Sequence, residues 1–284
     1  MTRRRKRVVA EEQFYTPAAL AGKCVDALLR HCSFDEFDYI LEPSAGKGSF
    51  LDHLPPDKTL AIDLDPKDPR IGRADFFDWN PPLLHGPILT VGNPPFGARA
   101  GLAVRFVERA CSFSDCVAFI LPRSFRKHTF LNRVPGHFHL QEQFDCDTFE
   151  RDSGEQRTVK TVFQIWKREA HPRSKIVLAT SHEDFEMKHF HLSRTSPEAL
   201  ARARAEYDFA LPQVGAKFVP RDVGDINAGS YWFIKAKVSG VRERFEVLDF
   251  SFLDGLNTTF MSLSKKDIIA AYITAARSET TPAS

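Results

Sequence analysis

Two rhythms of apolar residues run through the first 170 positions. Residues 38–41, 59–64, 87–91 and 117–121 are short apolar runs, and the first three lead into polar groups: Glu42, the acids Asp63 and Asp65, and Asn93. Runs of this length, bounded by turn residues, predict strands covered on both faces. Between them the spacing changes. Leu102, Val104, Phe106, Val107 and Ala110 fall on one side of a helix over 101–111, and a short helix is expected at 50–54 after the glycine-bearing turn 43–48. Strand, turn and helix repeated in this way predict an α/β fold with a doubly wound parallel sheet.

The later pattern differs. Residues 159–166 read as a strand paired with 140–144 across a polar loop, 145–157. Near residue 170 the alternation breaks down. A helix is expected over 197–207, capped by Ser196, then a strand over 231–238. A closing helix over 264–275 carries Ser264 as its cap, with Asp267 three residues on. The expected organisation is a basic, disordered tail (1–12), an α/β domain (13–170) and a smaller α+β region (171–284).

Composition narrows the class. The 284 residues are 43% hydrophobic and 27% charged, enough for a packed core. No run of 18 apolar residues and no apolar leader occurs, so neither a membrane span nor secretion is expected. Five cysteines without a CxxC pair argue against a disulfide framework and fit a reducing compartment, cytoplasmic or, in a eukaryote, nuclear. His137 and His139, and His189 and His191, lack a third ligand at a recognisable spacing, so no metal is expected. The formal charge of +2 hides an asymmetry. Five of the first seven residues are basic, residues 8–98 carry 7 basic and 14 acidic side chains, and residues 99–168 carry 12 and 8. The tail and the middle of the chain would attract a nucleic acid.

Four signals carry chemistry. In Glu42-Pro43-Ser44-Ala45-Gly46-Lys47-Gly48, small residues right after a strand let the backbone pass close to a ligand. It is no phosphate-binding loop of the Walker type, because Leu41 stands where that loop needs glycine. Asp63, at a strand end 17 residues beyond Gly46, suits ribose hydroxyls. Asp75 and Phe76 could accept from an adenine amine and lie beside its ring. In Asn93-Pro94-Pro95-Phe96 the two prolines remove N–H donors and fix the chain direction. An amide oxygen and a proline carbonyl can then accept from one NH2 group, beside a phenylalanine face suited to a base.

The order Phe14-Tyr15-Thr16-Pro17, the Glu42–Gly46 motif, Asp63, Asp75 and Asn93-Pro94-Pro95-Phe96 resembles the gamma-class amino-methyltransferases, chiefly DNA adenine-N6 enzymes. The resemblance spans about residues 13–168. It implies a Rossmann-like sheet and S-adenosylmethionine as cofactor. It implies that Phe14, Tyr15, Thr16 and Pro17 close over the cofactor, and that Glu42, Pro43, Ser44, Ala45, Gly46 and Gly48 lie near its methionine part. Asp63 would hold the ribose, Asp75 and Phe76 the adenine. Asn93, Pro94, Pro95 and Phe96 would form the catalytic motif, with Asn93 also beside the cofactor. Residues 121–125 and 161–166 look like later motifs of that class. Phe149, Tyr231 and Trp232 are the further aromatic candidates for a target base. DNA is favoured over RNA. An RNA adenine-N6 enzyme, a glutamine methyltransferase of proteins, a cytosine-N4 enzyme and a non-catalytic binding module are the alternatives. A glutamine enzyme usually has a helical N-terminal domain, whereas here the first motif begins at residue 14.

Overall fold

The apolar runs become strands of a seven-stranded sheet in the computed structural model, which describes residues 14–81, 86–151, 153–215, 217–253 and 262–280. The basic tail at 1–12 lies outside the described residues. The chain divides into two compact units, one ending at Ile176 and one beginning at Val177.

The first unit contains β1 (Tyr39–Glu42), β2 (Thr59–Asp63), β3 (Gly72–Arg73), β4 (Ile88–Gly92), β5 (Cys116–Pro122), β6 (Phe138–Asp145) and, after a small hairpin of β7 (Thr148–Glu150) and β8 (Gln156–Thr158), β9 (Thr161–Arg168). Their order across the sheet is β3-β2-β1-β4-β5-β9-β6. The first five are parallel; β9 runs antiparallel between β5 and β6. The α/β, doubly wound expectation is met.

Period-two alternation sorts the side chains onto two faces. Ile40, Leu89, Cys116, Ala118 and Ile120 meet α1 (Ala18–Leu29) on one face. Leu41, Val117, Phe119 and Leu121 meet α2 (Gly101–Cys111) on the other. Because both faces are covered, β5 is apolar at nearly every position rather than alternating. The short helix α3 (His128–Leu131) follows β5.

Three expectations change in detail. The helix expected at 50–54 is a single 3-10 turn, Leu51–His53, since Pro55 and Pro56 leave no room for another turn. The late strand begins two residues after its expected start, at Thr161. The polar loop 145–157 is not unstructured but folds into the β7–β8 hairpin.

The second unit is an antiparallel sheet in the order β10-β13-β11-β12. Its strands are β10 (Phe185–His191), β11 (Phe209–Pro212), β12 (Arg221–Asp222) and β13 (Ser230–Ala236). The helix α4 (Pro197–Glu206) shares a core with Phe190, Ala210 and Phe233. On the other face α5 (Val241–Glu246) and α6 (Lys265–Thr280) cover Phe185, Phe209 and Ile234. Ser196 accepts from the Ala199 N–H, and Ser264 and Asp267 cap each other's backbone N–H.

Phe119 is central to the first unit, fully buried in the middle of β5. Phe119→Ala should lower the stability of that unit by about 3–5 kcal/mol, read as an earlier urea transition.

Candidate active site

β1 and β4 are neighbours, but the chain leaves them in opposite directions, through β2 and β3 on one side and β5 on the other. In doubly wound sheets ligands bind beyond the strand ends at such a reversal. Here Glu42 ends β1, and Asn93 follows directly on β4. Gly92 allows the two to approach: a Cβ there would lie 3.3 Å from Glu42 Cγ, at a φ of +151°.

A cleft at this reversal is lined by Phe14, Thr16, Glu42, Ser44, Gly46 and Asn93, among others. Its hydrogen bonds connect three motifs far apart in sequence. The Asn93 amide donates through Nδ2 to Thr16 Oγ1 (3.1 Å) and to the Phe14 carbonyl (3.4 Å). Ser44 Oγ donates to the Asn93 carbonyl (3.1 Å). Two oxygens around Nδ2 fix the orientation of the amide. Asn93 Oδ1 therefore points away from them, and it is buried without a partner among the described residues. No donor among those residues reaches the Pro94 carbonyl either.

Glu42 is the second acceptor left over. It is 2% exposed, and its Oε2 has no partner among the described residues. Burial, followed by the nearby Asp63 carboxylate, holds its carboxyl well above the usual range, against a smaller opposing pull from Arg70. An unpaired buried acceptor costs roughly 1–3 kcal/mol, and two of them line this one cleft.

The N-terminal motif is strapped across the cleft. Tyr15 exchanges backbone hydrogen bonds with Glu150 of β7, 2.7 and 2.9 Å. Asp147, paired with Arg123 and accepting from the Thr161 N–H (3.2 Å), holds the base of that hairpin. The Tyr15 ring lies over Gly46, where a Cβ would come within 3.2 Å of it, and Lys47 Nζ sits 4.4 Å from the ring centre. Thr16 is buried, and Pro17 starts α1. With the strap in this position the cleft measures about 30 Å³.

The other sequence candidates fall as follows. Ala45 lines the cleft and donates its N–H to Ile62 O; Pro43 is buried behind it. Gly48 faces the Asp68–Arg70 ion pair instead of the cleft. Asp63 Oδ2 accepts from the Gly46 N–H and Oδ1 from the Asp65 N–H, both at 2.8 Å, so it ties the glycine turn to β2. Asp75 caps a turn through the Phe77 N–H (2.9 Å).

Phe76 is placed differently from expectation. It is 2% exposed and packs in the core against Phe106, 5.0 Å between ring centres, because the turn after β3 directs it inward. The half-buried ring at this point is Phe77, under the Arg105 guanidinium. Pro94 is buried, Pro95 exposed, and Phe96 half-buried against both core layers. Phe149 is wholly buried. Tyr231 packs in the second unit's core, and the Trp232 N–H is taken by the Leu263 carbonyl.

Just after the motif, Arg99 and Ala100 hold left-handed backbone conformations, φ 53° and 60°. Strain of this kind in non-glycine residues costs about 1–3 kcal/mol each and gathers at functional sites. No sequence signal marks this strain; Lys47, Ser49 and Phe50 also line the cleft.

No protein-family model and no curated protein matches this chain. Several solved structures are similar in fold. One, from Pyrococcus horikoshii and described as a candidate RNA methyltransferase, is 15% identical with a TM-score of 0.45, covering 57% of this chain and 89% of that one. The M protein of the type I restriction enzyme EcoKI is 12% identical with a TM-score of 0.43, over 94% of this chain and 70% of that one. A candidate hemolysin from Streptococcus thermophilus is 11% identical, TM-score 0.37, over 55% and 68%. At these scores none bears on the reaction, which has to be argued from the side chains.

Glu42 makes stability depend on pH. A carboxyl raised in the folded state binds its proton more tightly folded than unfolded. Its contribution is complete below the unfolded value near 4.5 and is lost as pH rises through the folded value. In ligand-free protein, Glu42→Gln should therefore gain in Tm relative to wild type as pH rises above about 5. Differential scanning calorimetry across that range checks it; a constant difference would show that Glu42 does not titrate there.

Proposed function

We propose that this protein is an S-adenosylmethionine-dependent methyltransferase acting on the exocyclic N6 amine of adenine in nucleic acid, with DNA favoured over RNA. The observation that carries the reading is Asn93. Its NH2 group is held by Thr16 and Phe14, while its buried oxygen is left without a donor.

The donor set of the cleft suits the cofactor. Glu42 Oε2 is an unpaired acceptor for a cationic or N–H-bearing group, and Gly46 and Ser44 border the same space. Asp63, beside the turn, keeps lone pairs for hydroxyl donors. The present space of about 30 Å³ falls short of the ~300 Å³ or more of a small-molecule site, so the Phe14–Thr16 strap has to lift for entry. When bound, S-adenosylmethionine supplies an electrophilic methyl group.

The chain's own part is to hold and orient the acceptor nitrogen. Asn93 Oδ1 and the Pro94 carbonyl each accept one N–H of the target amine. This holds the nitrogen and draws its lone pair out of conjugation with the ring. Phe96, half-buried beside them, offers a flat face to the base. An amine engaged in base pairing is out of reach, so the base has to leave its stack first. The second unit would then serve as the region that reads the surrounding nucleic acid. A flat base fits Phe96 better than a flexible glutamine amide does, which favours nucleic acid over protein.

Nucleoside analysis after incubation with methyl-labelled S-adenosylmethionine and separate DNA, RNA and protein pools tests the assignment. N6-methyladenine is expected; label only in protein glutamine would overturn it. Asn93→Ala should cut turnover on the order of 100-fold or more while calorimetry finds cofactor affinity unchanged. Thr16→Val removes the oxygen that orients the amide and keeps the shape. It should lower kcat by at least about tenfold, roughly the value of one hydrogen bond. Thr16→Ser should restore most of the rate. Equal rates for the valine and serine variants would show that the hydroxyl does not orient Asn93.

A further inference from the structure

A larger cavity lies within the second unit. It measures about 380 Å³, within the ~300–1,000 Å³ range of small-molecule sites. It runs along β10, the outer strand of its sheet, and its walls include Lys188, Lys237, Lys265, His182, Tyr207 and Phe185.

Its chemistry is one-sided. Three ammonium groups meet a single carboxylate, Glu186, and that one is taken by Lys237 at 2.8 Å. Among the described residues no carboxylate stands at ion-pair distance from Lys188 or Lys265; the Lys188 ammonium instead lies 5.5 Å from the Phe190 ring centre. Two positive charges therefore border the cavity without a counter-charge from those residues.

The inner surface is aromatic and apolar. The His182 ring stacks on Phe185 at an interplanar angle of 6° and a centroid distance of 5.4 Å. Its Nδ1 accepts from the Asp184 N–H (3.2 Å), which places the proton of the neutral ring on Nε2, a donor. Phe185, Met187 and Ile269 supply apolar surface, and Tyr207 a half-buried ring. Such a site calls for a ligand with a flat, weakly polar part and an anionic part. Metal cations are disfavoured by the lysines, and a purely apolar ligand would leave the ammonium groups unused.

We propose that this cavity binds a phosphorylated nucleotide unit, its phosphate at the outer edge of β10, which Lys188 borders from one face of the sheet and Lys265 from the other, and its base against the aromatic wall. The assignment stands on these charges and rings and does not depend on the methyl-transfer reading. Two sources share the chemistry: a nucleotide within a polynucleotide strand and a free mononucleotide.

The test uses the full chain without S-adenosylmethionine. Anisotropy of a fluorescein-labelled single-stranded oligonucleotide gives affinity and its salt dependence, with AMP as competitor. Lys188→Glu/Lys265→Glu should bind about tenfold more weakly, and the salt slope should flatten by about 0.7, the value expected for one phosphate contact on a single strand. Thermal melting confirms that the variant is folded. Arg202→Glu/Lys235→Glu makes the same charge change outside the cavity lining and should have a much smaller effect. Displacement by AMP assigns the site to a free nucleotide, and oligonucleotide binding that AMP does not displace assigns it to a strand. Unchanged affinity and slope in the folded cavity variant, or an equal loss in the control variant, would overturn the proposal.

Discussion

The first unit is organised around one side-chain amide. Asn93 leaves β4 where the sheet reverses its winding, and its Nδ2 reaches Thr16 and Phe14, 77 and 79 residues earlier in the chain. That contact is possible only because β1 and β4 are adjacent and parallel, and because both faces of the sheet are covered, which keeps the strand ends clear. Ser44 adds a third tie, from the turn after β1 to the Asn93 backbone. Removing the amide would free the N-terminal strap from the proline motif, while the Ser44 tie, made to the backbone, would remain.

The strap is held at its other side as well. Tyr15 pairs with Glu150, so the four residues before α1 lie between the β4 end and the β7–β8 hairpin. The polar segment that builds the hairpin contains Asp147, which engages Arg123 and the Thr161 N–H. Its polarity serves these pairings. The strained pair Arg99 and Ala100 follows just after the motif in the chain.

How far the sequence could be read depended on how far the physics was local. β5 was legible because burial on both faces demands an unbroken apolar run, and α2 because its spacing is strong. The helix caps at Ser196 and Ser264 were legible because capping chemistry involves neighbours only three residues apart. α1 carries the same spacing at Ala21, Cys24, Val25 and Leu28. Its small residues make a weak signal. Phe76 was misplaced because sequence cannot say which of two adjacent rings turns inward; Phe106 and Phe113 decide that through tertiary packing. The β7–β8 hairpin and the left-handed Arg99 rest on local backbone geometry that no apolar periodicity marks. The elements of the cleft were visible one by one, but their connection through Thr16 and Glu150 was not.

The two unpaired acceptors constrain what the cleft can accommodate. Glu42 Oε2 ends β1 and Asn93 Oδ1 follows β4, one on each side of the reversal. Lys47, the cation that lines the cleft, is placed over the Tyr15 ring. A ligand that satisfies both oxygens has to bring hydrogen-bond donors, and at Glu42 a positive charge gains most, because it offsets the burial and the Asp63 repulsion that disfavour the carboxylate. A neutral, acceptor-rich ligand would leave both oxygens as they are and gain nothing from them. Asn93 carries no charge to shift, so its oxygen selects by direction alone: a planar NH2 group can donate to it and to a neighbouring carbonyl at once, whereas a hydroxyl has a single hydrogen to give. A charge-selective acceptor on one strand and a direction-selective acceptor on the next thus set two different requirements within one cleft.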